Sequence, residues 1–262
     1  MKKAGIILIL VMSICIIGNA QDVLNGIGKL KLGSSPSVLN EIGFDTKYII
    51  INDKSVFTKN LGDNNSENYM LQWHHRDLYS KIYSLELKNK GKKAYKLVVD
   101  ENDDFGFVDA SFHPSVSVFY IPKYEVVPGL ICEQIILKYF NNSLYYIEIW
   151  NSEKLEEALK TKYGNPEISV DEKEKQYINN YGNEITKTDI NKISTYSTGD
   201  SDISCKSTHA IWYDSRGSRM FVDRLILDTP NKTKMVNDYD AQKWQEVKER
   251  KGKEKLKGLD GL

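Results

Sequence analysis
The residues best suited to chemistry fall into a few constellations, and each lacks a partner its mechanism requires. His75-Arg76-Asp77-Leu78, followed by Asp104-Phe105-Gly106, has the residue types of a phosphoryl-transfer loop and its metal-binding triplet. That chemistry places an Asn four residues beyond the Leu to hold a second Mg²⁺, and Ile82 stands there instead. No glycine-rich phosphate loop or strand lysine precedes them, and too little chain lies upstream for a nucleotide-binding lobe. The match is coincidental. Asp100-Glu101-Asn102-Asp103-Asp104 crowds carboxylates into a turn, which suggests Ca²⁺. Read as a helix–loop–helix calcium loop from Asp100, however, the glycine position holds Phe105 and the bidentate glutamate position holds Ser111. A solvated acidic turn is the better reading.

The histidines are His74, His75, His113 and His209, with no His-x-x-x-His pair and no Cys-x-x-Cys pair, so zinc-site spacing is absent. A Gly-x-Ser-x-Gly nucleophile elbow is also missing. Two Cys–His combinations stay open as thiol nucleophiles, His209 with Cys205 and His113 with Cys132. Either needs a thiol with a lowered pKa beside a cation or a helix N-terminus. Neither cysteine stands at a helix start. The chemistry-bearing residues therefore define no catalytic residue, no cofactor-binding residue and no metal ligand, and the expectation is a protein that is not an enzyme and carries no cofactor.

The elements that would hold any site are clearest between Cys132 and Pro166. Gln134–Phe140 and Leu144–Trp150 read as two strands of a hairpin across Asn141-Asn142-Ser143. Asn151 or Ser152 then caps a helix with Glu153, Glu156 and Glu157 in its first turn. Leu155, Leu159 and Tyr163 share one face, Lys160 and Lys162 lie in the last turn, and Gly164 and Pro166 end it. Residues 167–209 are polar and short of core residues, and read as exposed connections. A second hairpin joins Ala210–Tyr213 to Met220–Leu227, with Ile211, Phe221, Leu225 and Leu227 as core. Asp238–Lys257 is a charged helix carrying Trp244 and Val247, read as a solvated helix or tail.

Upstream, Leu30–Gly33 precedes a short helix begun by Ser35-Pro36-Ser37 and stopped at Gly43. Strands are expected at Tyr48–Ile51, Tyr69–Trp73, Tyr79–Leu87, Ala94–Val99 and Ser117–Ile121. Both halves thus read as a short helix ending at glycine followed by Trp-bearing strands, an α+β class of antiparallel sheet with a few short packed helices. The expected layout is a first module at 21–130 and a second at 131–235 containing the polar insertion 167–209, with the charged helix or tail at 236–262.

Met1-Lys2-Lys3, the apolar run Ala4–Ile17 and the small residues Gly18 and Ala20 form an export signal over residues 1–20, with cleavage expected between Ala20 and Gln21. Cys15 is no lipid-attachment site, because Ile14 precedes it and the apolar run continues past it. Without Lys2 and Lys3 the 36 basic side chains become 34 against 36 acidic ones, a net charge of −2 that attracts neither nucleic acid nor anionic membrane. No stretch of the mature chain is apolar enough for a membrane span. Cys132 and Cys205 form a candidate disulfide in an oxidising compartment, or stand as two separate buried thiols. The sixteen tyrosines would suit an interface, though packing accounts for most of them.

A strand, a short helix ending in Gly and a Trp-bearing antiparallel sheet resemble the tandem α/β modules of the beta-lactamase inhibitor protein fold. The segment Leu30-Lys31-Leu32-Gly33-Ser34-Ser35-Pro36-Ser37-Val38 is similar to the helix start of BamE/SmpA-type envelope modules. Lys162-Tyr163-Gly164-Asn165-Pro166 is similar to a helix end of secreted proteins of that shape. The resemblance implies exported, non-catalytic, protein-contacting domains and assigns no binding residue. The resulting expectation is a soluble periplasmic or secreted binding protein, inhibitor-like or an assembly accessory, whose partner is another envelope or extracellular protein. The alternatives are a surface carbohydrate-binding accessory protein and a small secreted hydrolase with a spatially assembled site.

Overall fold
The structure is a computed structural model that describes residues 23–51, 55–58, 67–69, 92–99, 109–178, 182–214 and 217–259. The export signal, the cleavage residues Ala20 and Gln21, the His75 and Asp100–Gly106 constellations and the strand expected at Tyr79–Leu87 lie outside the described residues. Strands make up 52% of those residues, and three helices accompany them. The chain is therefore α+β in the coarse sense, with more sheet than that class usually carries. Among the described residues no helix is long and apolar enough to cross a membrane.

A short ribbon of β1 (Gly26–Ile27) and β2 (Leu30–Lys31) precedes helix α1 (Ser37–Glu41). The strands that follow are β3 (Asp45–Ile51), β4 (Ser55–Thr58), β5 (Glu67–Tyr69), β6 (Lys93–Val98), β7 (Val116–Val127), β8 (Leu130–Phe140) and β9 (Ser143–Trp150). Helix α2 (Glu153–Tyr163) leads to β10 (Glu167–Ile178), β11 (Glu184–Tyr196), β12 (Ser204–Tyr213), β13 (Arg219–Asp228) and helix α3 (Pro230–Leu259). Apart from the ribbon, all the described strands join one sheet in the order β10-β11-β12-β13-β9-β8-β7-β6-β3-β4-β5. The expected all-antiparallel pairing needs one correction, since β3 and β6 run parallel. The expected module boundary at 130/131 falls at the start of β8, a strand hydrogen-bonded to both β7 and β9.

The β8–β9 hairpin follows from its turn chemistry. Phe140 pairs with Ser143 around Asn141 and Asn142, whose φ angles of 48° and 62° are the left-handed values a two-residue turn demands and Asn tolerates. Helix α2 starts where Ser152 Oγ accepts a hydrogen bond from Leu155 N at 3.3 Å, and it stops at Gly164, whose φ of 86° suits a residue without Cβ. Leu155, Leu159 and Tyr163 are buried in one cluster with Ile135, Leu137, Ile147, Ile149, Leu225 and Leu227. Each buried aliphatic side chain contributes about 1.5–3 kcal/mol, which fixes the helix to one face of the sheet.

Residues 167–209, expected as irregular connections, instead form β10, β11 and most of β12, each paired in register along its length. The segment is rich in Ile, Val and Thr, which favour extended backbone even where no core covers them. Pairing satisfies its backbone, so polar composition does not exclude a strand. The outer strand β10 carries Asp171-Glu172-Lys173-Glu174-Lys175, charges that discourage pairing with a further chain. The C-terminal helix begins earlier than the composition suggested, at Pro230, and it is docked rather than a free tail. Val236 packs on Tyr145 and Tyr146, Tyr239 stacks on His113 at 4.6 Å, and Trp244 lies 6.0 Å from Phe112. Asp240 accepts hydrogen bonds from Ser111 Oγ and Phe112 N at 2.9 and 2.8 Å.

Candidate recognition surface
The open cysteine questions close on geometry. Cys132 and Cys205 are both free and buried. They sit on β8 and β12, which β9 and β13 separate in the sheet. At about 4.8 Å per strand spacing this places them roughly 14 Å apart, beyond the reach of a disulfide. Cys205 and His209 lie four residues apart on one strand, roughly 13 Å at the rise of an extended chain. His113 precedes the start of β7 whereas Cys132 pairs with Tyr124 near its far end, so that pair is separate too. His113 is instead a packing residue, its ring between Phe140 and Tyr239 and its Nδ1 accepting Ser115 N at 3.2 Å. Burial pushes both thiols up to about 12, with Glu133 adding to the effect at Cys132 and Asp228 at Cys205.

A reactivity test follows. In the native protein at pH 7.5, Cys132 and Cys205 are expected to resist a thiol reagent that labels both quickly in denaturant, since only about one thiol in 10⁴–10⁵ is ionised. Rapid labelling of either in the native state would contradict this. Among the described residues no group of three or more His, Cys, Asp or Glu is placed to hold a metal.

Two polar clusters stabilise the sheet. On the α2 side, Asn151 Nδ2 donates to Glu156 Oε1 and to Ser207 Oγ, both at 2.8 Å, and Ser207 Oγ donates to Glu156 Oε1 at 2.9 Å. Burial alone would raise the Glu156 carboxyl, but the hydrogen bonds from Ser207 and Asn151, aided by Lys160 and Lys192, outweigh it and hold it below its ordinary value. A carboxylate depressed in the folded state adds stability above its unfolded pKa and loses it as pH falls through the folded value. The stability gap between wild type and Glu156→Gln, read from urea melts, is therefore expected to be largest at neutral pH and to close below about pH 4.5. A gap that stays constant down to pH 3 would refute it. On the opposite face, Glu148 accepts from Tyr146 OH at 2.5 Å and pairs with Arg224 at 2.7 Å. Glu148 and Arg224, with Asp109, Gln134, Tyr120 and Trp150, line a cavity of about 40 Å³, room for a water rather than a ligand.

Beyond these clusters the sheet continues with no described helix packed on it. Register places Val170, Lys192, His209 and Asp223 side by side in one row, and Glu172, Ile190, Ile211 and Phe221 in the next. Both rows belong to the face that α2 covers farther along, where Ser207 and Leu225 are buried. Ile168, Val170 and Phe221 are 52%, 54% and 54% exposed. Phe221 was expected in the core. Alternation places it on the core side of β13, but the sheet outruns the helix, so the position is open. Trp150, which register with Arg224 puts on the other face at the end of β9, meets the Phe221 ring edge-on at 5.9 Å where that strand has ended. His209 Nδ1 lies 3.2 Å from Asp223 Oδ2 within the patch.

The reverse face carries Asp171, Asn191 and Ala210 in one row, with Lys173 and Asp189 paired in the next. With Lys175 and Trp212 they line an open groove of about 250 Å³. The Lys175 ammonium contacts Asp189 Oδ2, and Tyr213 N donates to Asp189 Oδ1 at 3.3 Å. Asp171, Lys173, Lys175, Asp189 and Asn191 escaped the sequence reading because their segment read as exposed connections; the Ile and Thr content of 185–195 was the signal available. No family model matches the chain, and no curated protein or solved structure matches it either.

Proposed function
We propose that the protein is an exported, non-catalytic binding protein of the periplasm or cell exterior, and that it recognises another protein through the uncovered face of β10–β13. The observation that carries this reading is the row of half-buried Ile190 and Ile211 beside exposed Phe221, with Ile168 and Val170 exposed on the outer strand and the polar row Lys192, His209 and Asp223 running between them. Apolar side chains interleaved with charged groups on one open sheet face have the mixed composition of a docking surface. Uncharged, buried thiols and the lack of a nucleophile motif support a role without turnover. The test is capture from an envelope extract by the mature protein. The Val170→Arg/Phe221→Arg double variant is expected to lose a partner that wild type retains, with its thermal midpoint unchanged because both positions are exposed. Equal capture by the two proteins would sink the reading.

A further inference from the structure
The groove on the reverse face has a different chemistry, and we infer that it is a binding site for one ring of a neutral glycan. Its floor is Trp212, 36% exposed, beside the small Ala210. An indole offers a flat apolar surface that matches the C–H face of a pyranose, which hydroxyl groups surround at the ring edge. The rim supplies matching polar groups, two carboxylates, two ammonium groups and the exposed Asn191 amide. Asp189 is held in position by the Tyr213 amide and Lys175, so its orientation is set before any ligand arrives.

Charge decides which glycan fits. Asp171 and Asp189 balance Lys173 and Lys175, and the charges are already paired: Lys173 with Asp171 at 3.1 Å, and Lys175 with Asp189. An acidic sugar, a sulfate or a phosphate would bring negative charge beside two carboxylates and compete for ammonium groups already engaged. A neutral hydroxyl inserts between them as donor to one and acceptor from the other. The volume, about 250 Å³, lies below the roughly 300–1,000 Å³ of sites for larger ligands and suits a single ring of a chain that continues along the open sheet.

Ile190 and Ile211 of the docking patch also line this groove, so the two readings are separated by residues that belong to one site alone: Trp212 and Asp189 for the groove, Val170 and Phe221 for the patch. The experiment is a titration of the mature protein with gluco-, galacto- and manno-configured neutral oligosaccharides, read by tryptophan fluorescence and calorimetry, with sialylated and sulfated oligosaccharides as controls. At least one neutral series is expected to bind, with Trp212→Ala weakening it at least tenfold and Asp189→Asn several-fold. Trp212→Phe, which keeps an aromatic floor, is expected to stay within several-fold of wild type. If Trp212→Ala does not fold, Asp189→Asn decides. The inference is overturned if no neutral oligosaccharide binds, if Trp212→Ala and Asp189→Asn bind as wild type does, or if the acidic oligosaccharides bind best. Trp212→Ala leaves partner capture by the Val170–Phe221 face intact in either case.

Discussion

Replacing Leu159 with Asp will lower the unfolding free energy by about 3–5 kcal/mol, enough to abolish most of the stability of an ordinary domain. Leu159 is 3% exposed and stands between Leu155 and Tyr163 on the face of α2 that meets the sheet. The substitution removes the burial of a large aliphatic group and puts a carboxylate among the Ile, Leu and Tyr side chains of the buried cluster. Lys160 is adjacent in sequence but lies around the helix, paired with Glu156 at 3.7 Å. Leu159→Met, close in volume, should cost under about 1.5 kcal/mol. Urea melts of the three proteins separate these outcomes, and an Asp variant that melts with wild type would mean that α2 does not pack on the sheet.

The second large effect is expected at Gly26, where the reason is space. A Cβ there would lie 2.1 Å from Leu30 O and 2.6 Å from the Lys31 Cα. Both are backbone atoms of the paired strand, so no rotamer change relieves the contact. Gly26→Ala therefore has to break the β1–β2 pairing, in which Gly26 faces Lys31 and Ile27 faces Leu30. Leu24, Ile27 and Leu30 belong to the same buried cluster as α2, so the loss reaches the main core. About 1–3 kcal/mol is expected. Gly33→Ala is the contrast, since its Cβ would meet nothing within 4 Å and only the positive φ of 88° is strained. Melts that rank Gly33→Ala as the more damaging change would contradict the ribbon's role.

Some of this architecture was legible in the residues and some was not, for identifiable reasons. The hairpin of β8 and β9 and the helix after it were readable because every local cue agrees there: alternation, Asn at the turn, Ser at the cap, Gly at the stop. The β10–β11 arm was not readable as sheet. The side chains of β10 are almost all exposed and those of β11 mostly half-buried and polar, so no apolar alternation marks the arm, and only its β-branched content points to strand. Phe221 fails differently. Its alternation was read correctly, but whether a face is covered depends on how far α2 reaches, a tertiary fact with no local signature. The docking of α3 was hidden as well, since Val236, Asp240 and Trp244 are spread through a sequence dominated by Lys and Glu. The recognition surface depends on both missed features, the length of the arm and the end of the helix cover, and so could not be assembled from local patterns.

The central claim is that the uncovered face of β10–β13 is the working surface. Its most direct test is site-specific photo-cross-linking in an envelope extract, with a photoreactive residue placed in turn at Phe221, Val170 and Met235. Met235 is 43% exposed but lies on α3, away from the patch, and serves as the control. Phe221 and Val170 are expected to give the same discrete adduct, absent from Met235. An identical adduct from all three positions, or one from Met235 alone, would contradict the account.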